Sequence, residues 1–186
     1  MQFTLHYRGD LKSNANPAFK QELRRHIHLQ MKKQWQLEPL RSFNDFLDRP
    51  ERGSDEISVL TELHGFVFAP LVCQRLYLVA ELDVHMLWPQ AAGAIITSGG
   101  DIDNRLKTLL DSLKMPSEPA ALPKDIVPQL GETPFFCLLE DDSLVTRLSV
   151  DTDYLLEPVK RSSEVELWIR VRTHQVRVVI ATTGLA

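Results

Sequence analysis

Two short acidic segments contain the residue types that bind divalent cations. The first runs from Asp101 to Asp111 and reads Asp-Ile-Asp-Asn-Arg-Leu-Lys-Thr-Leu-Leu-Asp, and the second is Glu140-Asp141-Asp142. Carboxylate oxygens are hard ligands that suit Mg²⁺ or Mn²⁺. Carboxylates held together without a cation repel one another, so such a group is expected to bind a metal or to have raised pKa values.

The spacing of apolar residues predicts that the first segment is a helix with one buried face. These residues are Ile102, Leu106, Leu109, Leu110 and Leu113. Asp103, Lys107 and Asp111 then form a neighbouring stripe, because each lies four residues after the last. Asp101 comes just before the first turn, where unpaired backbone amides and the helix dipole favour a carboxylate.

Ordinary structural roles also account for these charges. The aspartates of the first turn would cap the helix, and Lys107 would pair with the aspartates four residues to either side. The second segment favours a functional interpretation, since Asp141-Asp142 opens a strand-like run over residues 143–150. A helix start and a strand start that bring carboxylates to one edge of a sheet would make a metal site.

Together the two segments resemble the RusA-like family of Holliday-junction resolvases. That family has a D-x-D-N-x-x-K-x-x-x-D helix followed by a D-D-x-x-V strand, and both patterns occur here in the same order. The matching residues are Asp101, Asp103, Asn104, Lys107 and Asp111, then Asp141, Asp142 and Val145. The similarity covers about residues 75 to 172.

The resemblance implies a Mg²⁺-dependent or Mn²⁺-dependent, structure-selective endodeoxyribonuclease that hydrolyses DNA phosphodiester bonds in recombination and repair. Lys107 would stabilise negative charge on the phosphate or the leaving group. Asp111 would not bind the metal directly. It would either orient Lys107 or cap the local structure. The partners implied are branched DNA, above all a four-way junction, and a second copy of the chain in a homodimer. By the resemblance, Asp101, Asp103 and Asp142 would be the main metal ligands, and Asp141 would be a further contributor. These three main ligands and Lys107 would be the catalytic residues.

The fold implied by the resemblance is α+β, with a mixed sheet of four to six strands and helices at 17–36 and 101–114 packed on it. We expect one domain over residues 1–186, with insertions at about 40–72 and 115–135. Alternating apolar residues predict strands at 2–7 and, most clearly, at 74–88. The pattern at the end of the chain predicts a terminal hairpin, and the segment before residue 73 allows either a strand pair or irregular cover. The two hairpin strands are 165–171 and 176–182, and the earlier pair would be 57–63 and 65–72.

Basic residues that could contact phosphate lie mainly near the start of the chain. Up to Arg41 there are eight Lys or Arg against three acidic residues, whereas from Ser42 onward there are thirteen against twenty-two. A solvated helix face or a soluble sheet face explains the same residues equally well. The candidate DNA contacts are Lys20, Arg24, Arg25 and Lys32 on the first helix, and Arg170 and Arg172 near the end.

An alternative to catalysis stays open. Residues 95–100 carry no positive charge where RusA-like enzymes have basic residues, and residues 115–134 hold five prolines, which predicts an extended loop. These departures and the acidic balance after Ser42 favour a catalytically weak or inactive RusA-like module that binds nucleic acid or protein. The complete set of acidic motif positions, with Lys107, favours hydrolysis.

Other functional classes lack their signals. The chain has no Gly-rich phosphate loop, no Ser-His-Asp arrangement and no Cys-His zinc pattern that we recognise.

Cys73 and Cys137 are expected to be buried free thiols, and His26 and His28 to be surface residues. Glu81, Asp83 and His85 are either further ligands or the wetter face of a strand. No run reaches the length of a membrane span, and the expected location is the cytoplasm.

Overall fold

The computed structural model describes residues 1–51, 56–89 and 102–185. Asp101 and residues 95–100, for which the sequence makes specific predictions, lie outside the described residues. The described part contains seven strands and two α-helices, which confirms the predicted α+β class. In chain order they are β1 (Gln2–Asp10), α1 (Pro17–Gln34), β2 (Thr61–Leu63), β3 (Phe66–Val72), β4 (Leu78–Trp88), α2 (Ile102–Leu113), β5 (Phe135–Leu139), β6 (Val145–Tyr154) and β7 (Glu164–Gln175).

The strands form two mixed sheets. The larger sheet has the order β1-β7-β4-β6, in which β7 is antiparallel to both neighbours and β4 is parallel to β6. The smaller sheet has the order β2-β3-β5, with β2 antiparallel and β5 parallel to β3. The larger sheet matches the predicted mixed sheet of four to six strands. The smaller one confirms the strand-pair alternative for residues 57–72.

β4 is the central strand of the core, and its alternation follows the sequence prediction closely. The even-numbered residues from Leu78 to Trp88 are each at most 2% exposed and face the helices. The odd-numbered residues, among them Glu81, Asp83 and His85, lie on the opposite side, which we call the outer face of the large sheet. The period of two places every second side chain on the same face.

α2 supplies the crossover that joins the parallel strands β4 and β6, as a parallel pair requires. Near its start, the buried Arg105 donates a hydrogen bond to the Leu11 carbonyl, and its guanidinium lies 5.4 Å from the ring centroid of Trp88, the last residue of β4. Just after its end, Lys114 forms a bridge with Leu139 of β5. α2 therefore runs back along the sheet from the end of β4 toward the start of β6.

α1 begins as the sequence predicts. The Asn16 side chain accepts a hydrogen bond of 2.9 Å from the Phe19 amide, and Pro17 occupies the first helical position. Two residues of α1 that were expected at the surface, Arg24 and His28, are each only 2% exposed, so this expectation is wrong for both. Both face the contact of α1 with α2 and β5, where they bond to backbone groups. His26 is exposed, as predicted.

The predicted terminal hairpin is wrong. β7 runs without interruption from Glu164 to Gln175 and pairs with β1 and β4 instead of with the segment that follows it. Residues 176–182 contain no strand, and Ile180–Thr182 is a 3₁₀ turn. Alternation in these last residues does not make a strand, since a strand also needs a neighbour with unpaired backbone groups.

Two further expectations concern single residues and membrane spans. Cys73 and Cys137 are buried free thiols, as predicted, and burial raises the pKa of each to about 12. Such thiols are unreactive at neutral pH. None of the helices in the described ranges has the length and apolar character needed to cross a membrane.

Candidate functional site

The helix half of the motif presents two charged side chains to solvent. Asp103 lies in the first turn of α2, and Lys107 follows one turn later; both are exposed. Among the described residues, no carboxylate lies within ion-pairing distance of the Lys107 ammonium. The helix itself is held by Arg105 and by the buried Leu109 and Leu113.

The second acidic segment forms a tight turn before β6. Asp141 caps the 3₁₀ turn Asp142–Leu144, and its carboxylate accepts a hydrogen bond of 2.9 Å from the Ser143 amide. Hydrogen bonds from Ser143, helped by the nearby Lys114 ammonium, hold the pKa of Asp141 below its usual value. Asp141 is therefore ionised and engaged in local structure at neutral pH.

Lys114 joins the two acidic segments, and sequence reasoning missed it. Its ammonium lies 2.9 Å from the Asp142 carboxylate and 4.0 Å from those of Asp141 and Asp111. Asp111 also accepts a hydrogen bond of 2.7 Å from Lys20 of α1. We call this group the Lys114 cluster: Lys20, Asp111, Lys114, Asp141 and Asp142. The described partners of the Asp111 carboxylate are thus Lys20 and Lys114, which fits a structural role for Asp111 better than the orientation of Lys107.

Among the described residues, the structure does not bring Asp103 together with Asp141 and Asp142. Asp103 precedes Lys114 by eleven residues, which is about 16 Å along a helix that rises 1.5 Å per residue. The carboxylates of Asp103 and Asp142 consequently lie toward opposite ends of α2. Within the described ranges, no three His, Cys, Asp or Glu side chains are grouped closely enough to hold a metal ion. Asp101, the remaining predicted ligand, lies outside the described residues.

The chain matches no family model, no curated protein and no solved structure. The RusA-like resemblance accordingly rests on the spacing of the two motif segments, and the relation stays a prediction.

Arg24 is wrong as a predicted DNA contact. Its guanidinium donates hydrogen bonds of 3.0 Å to the Lys114 carbonyl and 2.8 Å to the Asp111 carbonyl, so it satisfies backbone acceptors at the end of α2. A third bond goes to Gln21 within α1. Because Arg24 is buried, a phosphate cannot reach it without disrupting the contact between the two helices.

The other candidate contacts on α1 are partly engaged. Lys20 pairs with Asp111, and Arg25 lies 2.6 Å from the carboxylate of Glu132. Lys32 donates a hydrogen bond of 3.0 Å to the Gly131 carbonyl. These basic side chains tie α1 to α2 and to the loop before β5, which leaves less positive charge for DNA than the sequence suggests.

Arg170 and Arg172 project from the outer face of the large sheet. The Arg172 guanidinium lies 3.4 Å from Glu81 and 2.9 Å from Asp83, whereas Arg170 is exposed and has no acidic partner in the described part of the chain. Glu81 and Asp83 are held in these ion pairs on the side of the sheet that faces away from α2. They therefore fit the interpretation as the wetter strand face.

Proposed function

We propose that the protein is a metal-dependent endodeoxyribonuclease that cuts branched DNA, as a homodimer. The observation that supports this most is the exposed pair Asp103 and Lys107 on a helix whose other side is firmly packed. Residues four apart on a helix are neighbours on its surface, at about 5–6 Å between Cβ atoms. A carboxylate for a metal and an ammonium for a phosphate thus lie side by side, accessible to a large substrate.

Mg²⁺ or Mn²⁺ is the proposed cofactor, and Asp103 with Asp101 is the proposed core of its ligand set. When bound, such a metal makes a water more acidic and neutralises phosphate charge. Asp141 and Asp142 could join this set only if their contacts with Lys114 opened. The described residues alone do not complete the metal site. The role that we propose for Asp141 and Asp142 in the present fold is therefore structural.

A second candidate function has its own support. The Lys114 cluster already neutralises three of the motif carboxylates with ammonium groups of the same chain. Because lysines of the same chain already offset the repulsion between these carboxylates, a metal ion is less necessary to hold them together. This favours a module that binds nucleic acid or protein without cutting it.

Cleavage of labelled four-way junctions separates the two candidates. Junction, linear duplex and single strand are incubated with Mg²⁺ or Mn²⁺ and with wild type, Asp103→Asn or Asp125→Asn. The last variant is a matched control, because Asp125 is exposed and its left-handed backbone suits Asn as well as Asp. Loss of cutting in Asp103→Asn alone is the expected result. Binding of DNA with no cutting by wild type would favour the binding module.

A further inference from the structure

An exposed tryptophan lies in the middle of the outer face. Trp168 belongs to β7, which has a strand on each side, and 45% of its surface is exposed. The other tryptophans, Trp35 and Trp88, are 1% and 2% exposed and belong to the core. Tryptophan is enriched at interfaces because its indole offers a large apolar face together with a polar N–H group.

Trp168 lines a groove of about 740 Å³. His6 flanks the indole on β1, with ring centroids 4.4 Å apart, and His85 lies opposite it on β4. Arg170 and Arg147 line the same groove. The volume falls within the range of pockets that hold small ligands.

Within the described part of the chain, the residues that line the groove leave one acid and one base without an opposite charge. Glu81 and Asp83 are matched by Arg147 and Arg172, which lie between 2.8 and 3.5 Å from them. Asp151, opposite His85, is the remaining acid that lines the groove, and Arg170 is the remaining base. Arg170 follows Trp168 by two residues on the same face, a separation of about 7 Å along a strand.

We propose that Trp168 and Arg170 form a binding site for unpaired nucleotides of single-stranded DNA. A base would stack on the indole while its phosphate contacts the guanidinium. Base stacking on an aromatic side chain contributes about 1–3 kcal/mol and is tolerant of sequence. A base inside a duplex cannot offer its face to the indole, so the site selects unpaired nucleotides. In taking DNA as the ligand, this inference rests on the proposed function.

The position of the site assigns it to binding and not to cutting. α2 packs on the inner side of the large sheet, whereas Trp168 and Arg170 lie on the outer face. A strand held in the groove is therefore separated from Asp103 by the thickness of the sheet. Substitutions in the groove are expected to raise KM for a branched substrate and to leave kcat unchanged.

The test uses the full chain and a twelve-nucleotide oligothymidine, without metal. Intrinsic fluorescence reports on the proposed site directly, because Trp168 is the one tryptophan with an exposed indole. The oligonucleotide should quench that emission. In anisotropy titrations with a labelled oligonucleotide, Trp168→Ala should weaken binding by about 5-fold to 150-fold, which corresponds to the stacking energy. Trp168→Phe, which keeps an aromatic ring, should bind with intermediate affinity.

Two controls make the result specific. Tyr154→Ala removes an aromatic residue that is 47% exposed and pairs in register with the inward-facing Trp88, so it should bind as wild type does. Arg170→Ala should reduce the slope of log affinity against log salt by about 0.7, the value for one phosphate of a single strand. Equal binding by wild type and both Trp168 variants would overturn the proposal, as would equal affinity for duplex.

Failure of this inference can be told from failure of the proposed function. Asp103-dependent cutting of junctions with unchanged binding in Trp168→Ala would remove the stacking site and keep the nuclease. Trp168-dependent binding without any cutting would keep the site and remove the nuclease.

Discussion

Buried polar side chains decide how the helices meet. Arg24 is 2% exposed and donates to two carbonyls at the end of α2. The last carbonyls of a helix have no partner within it, so an arginine that reaches them from a neighbouring helix stabilises both. The guanidinium therefore acts as a bridge between α1 and α2.

Replacement of Arg24 by Met should lower the free energy of unfolding by about 2–4 kcal/mol, since buried acceptors lose a charged donor. Urea unfolding followed by circular dichroism measures this change. Lys33→Met is the matched control, because Lys33 is on the same helix and exposed, and its effect should be within about 0.5 kcal/mol. Equal losses in the two variants would contradict the bridging role.

His28 should make stability depend on pH. Its Nδ1 accepts a hydrogen bond of 2.8 Å from the Phe136 amide, and burial lowers the pKa of the imidazole. The unfolded chain then binds more protons than the folded one between the lowered pKa and the ordinary value of about 6.5. Stability is fully present above that value and decreases as pH falls through this window.

We expect the melting temperature of wild type to fall more steeply between pH 7.5 and 5 than that of His28→Asn. The Asn side chain offers an oxygen to the Phe136 amide and does not titrate. His26→Asn, at an exposed position of the same helix, should follow the wild-type curve. Parallel curves for wild type and His28→Asn would show that His28 is not the titrating group.

Some of these residue roles were readable from the sequence and others were not. Asn16 and Pro17 signal a helix start through local chemistry, and α1 begins at residue 17 as predicted. Arg24 and His28 belong to a charged stripe that is typical of a solvated face. Only the position of α2 and β5 turns that stripe inward, and no local pattern records such a contact.

At the scale of elements, α2 has a different task at each end. Its first two turns present Asp103 and Lys107 to solvent, whereas Lys114, just after its end, is held among Asp111, Asp141 and Asp142. Two lysines seven residues apart are equivalent in a sequence pattern. In the fold, Lys107 is exposed, whereas Lys114 ties the helix to the turn before β6.

Lys107→Met and Lys114→Met should therefore change different properties, the first cleavage and the second stability. Lys107→Met should lower junction cleavage and leave stability within about 0.5 kcal/mol of wild type. Lys114→Met should lower the free energy of unfolding by about 1 kcal/mol, a modest value because Asp141 and Asp142 are nearly half exposed. That loss should shrink in 1 M NaCl, as screened charges interact less. Denaturant titrations with parallel cleavage assays compare the two, and a cleavage loss confined to Lys114→Met would reverse the assignment.

The strands show where periodicity is sufficient as a signal. β4 is buried on one face along its whole length, so its alternation predicted the strand and its end at Trp88, whereas its start is Leu78 and not residue 74. β7 has the same alternation, but its length and partners depend on β1 and β4, which are distant in the chain. A hairpin was therefore predicted where the structure has one long strand between two others.

At the scale of the whole molecule, the sheet separates two surfaces. The inner side packs against α1 and α2, and the exposed residues of α2 lie beyond it. The outer face carries the Trp168 groove and a balanced set of acids and arginines. Most basic residues of α1 are engaged by carboxylates or carbonyls, so this helix offers little free positive charge despite the basic start of the chain.

This charge distribution predicts weak binding to plain duplex. We expect log affinity for a linear duplex to fall with log salt at a slope no steeper than about −3, the value for roughly three phosphates. Lys33 on α1, Lys107 on α2 and Arg170 on β7 are the exposed bases that we count, because these three elements carry the candidate DNA contacts. Anisotropy titrations between 50 and 200 mM salt measure the slope, and a value near −6 would mean that the α1 ion pairs open on DNA.

The central claim is that Asp103 belongs to a nuclease site, and the most direct measurement is cleavage of a four-way junction labelled on each strand in turn. The account predicts paired, symmetric nicks that require Mg²⁺ or Mn²⁺ and disappear in Asp103→Asn, while Asp125→Asn cuts as wild type does. Undiminished cutting by Asp103→Asn, or intact junctions with every metal and substrate tried, would contradict it.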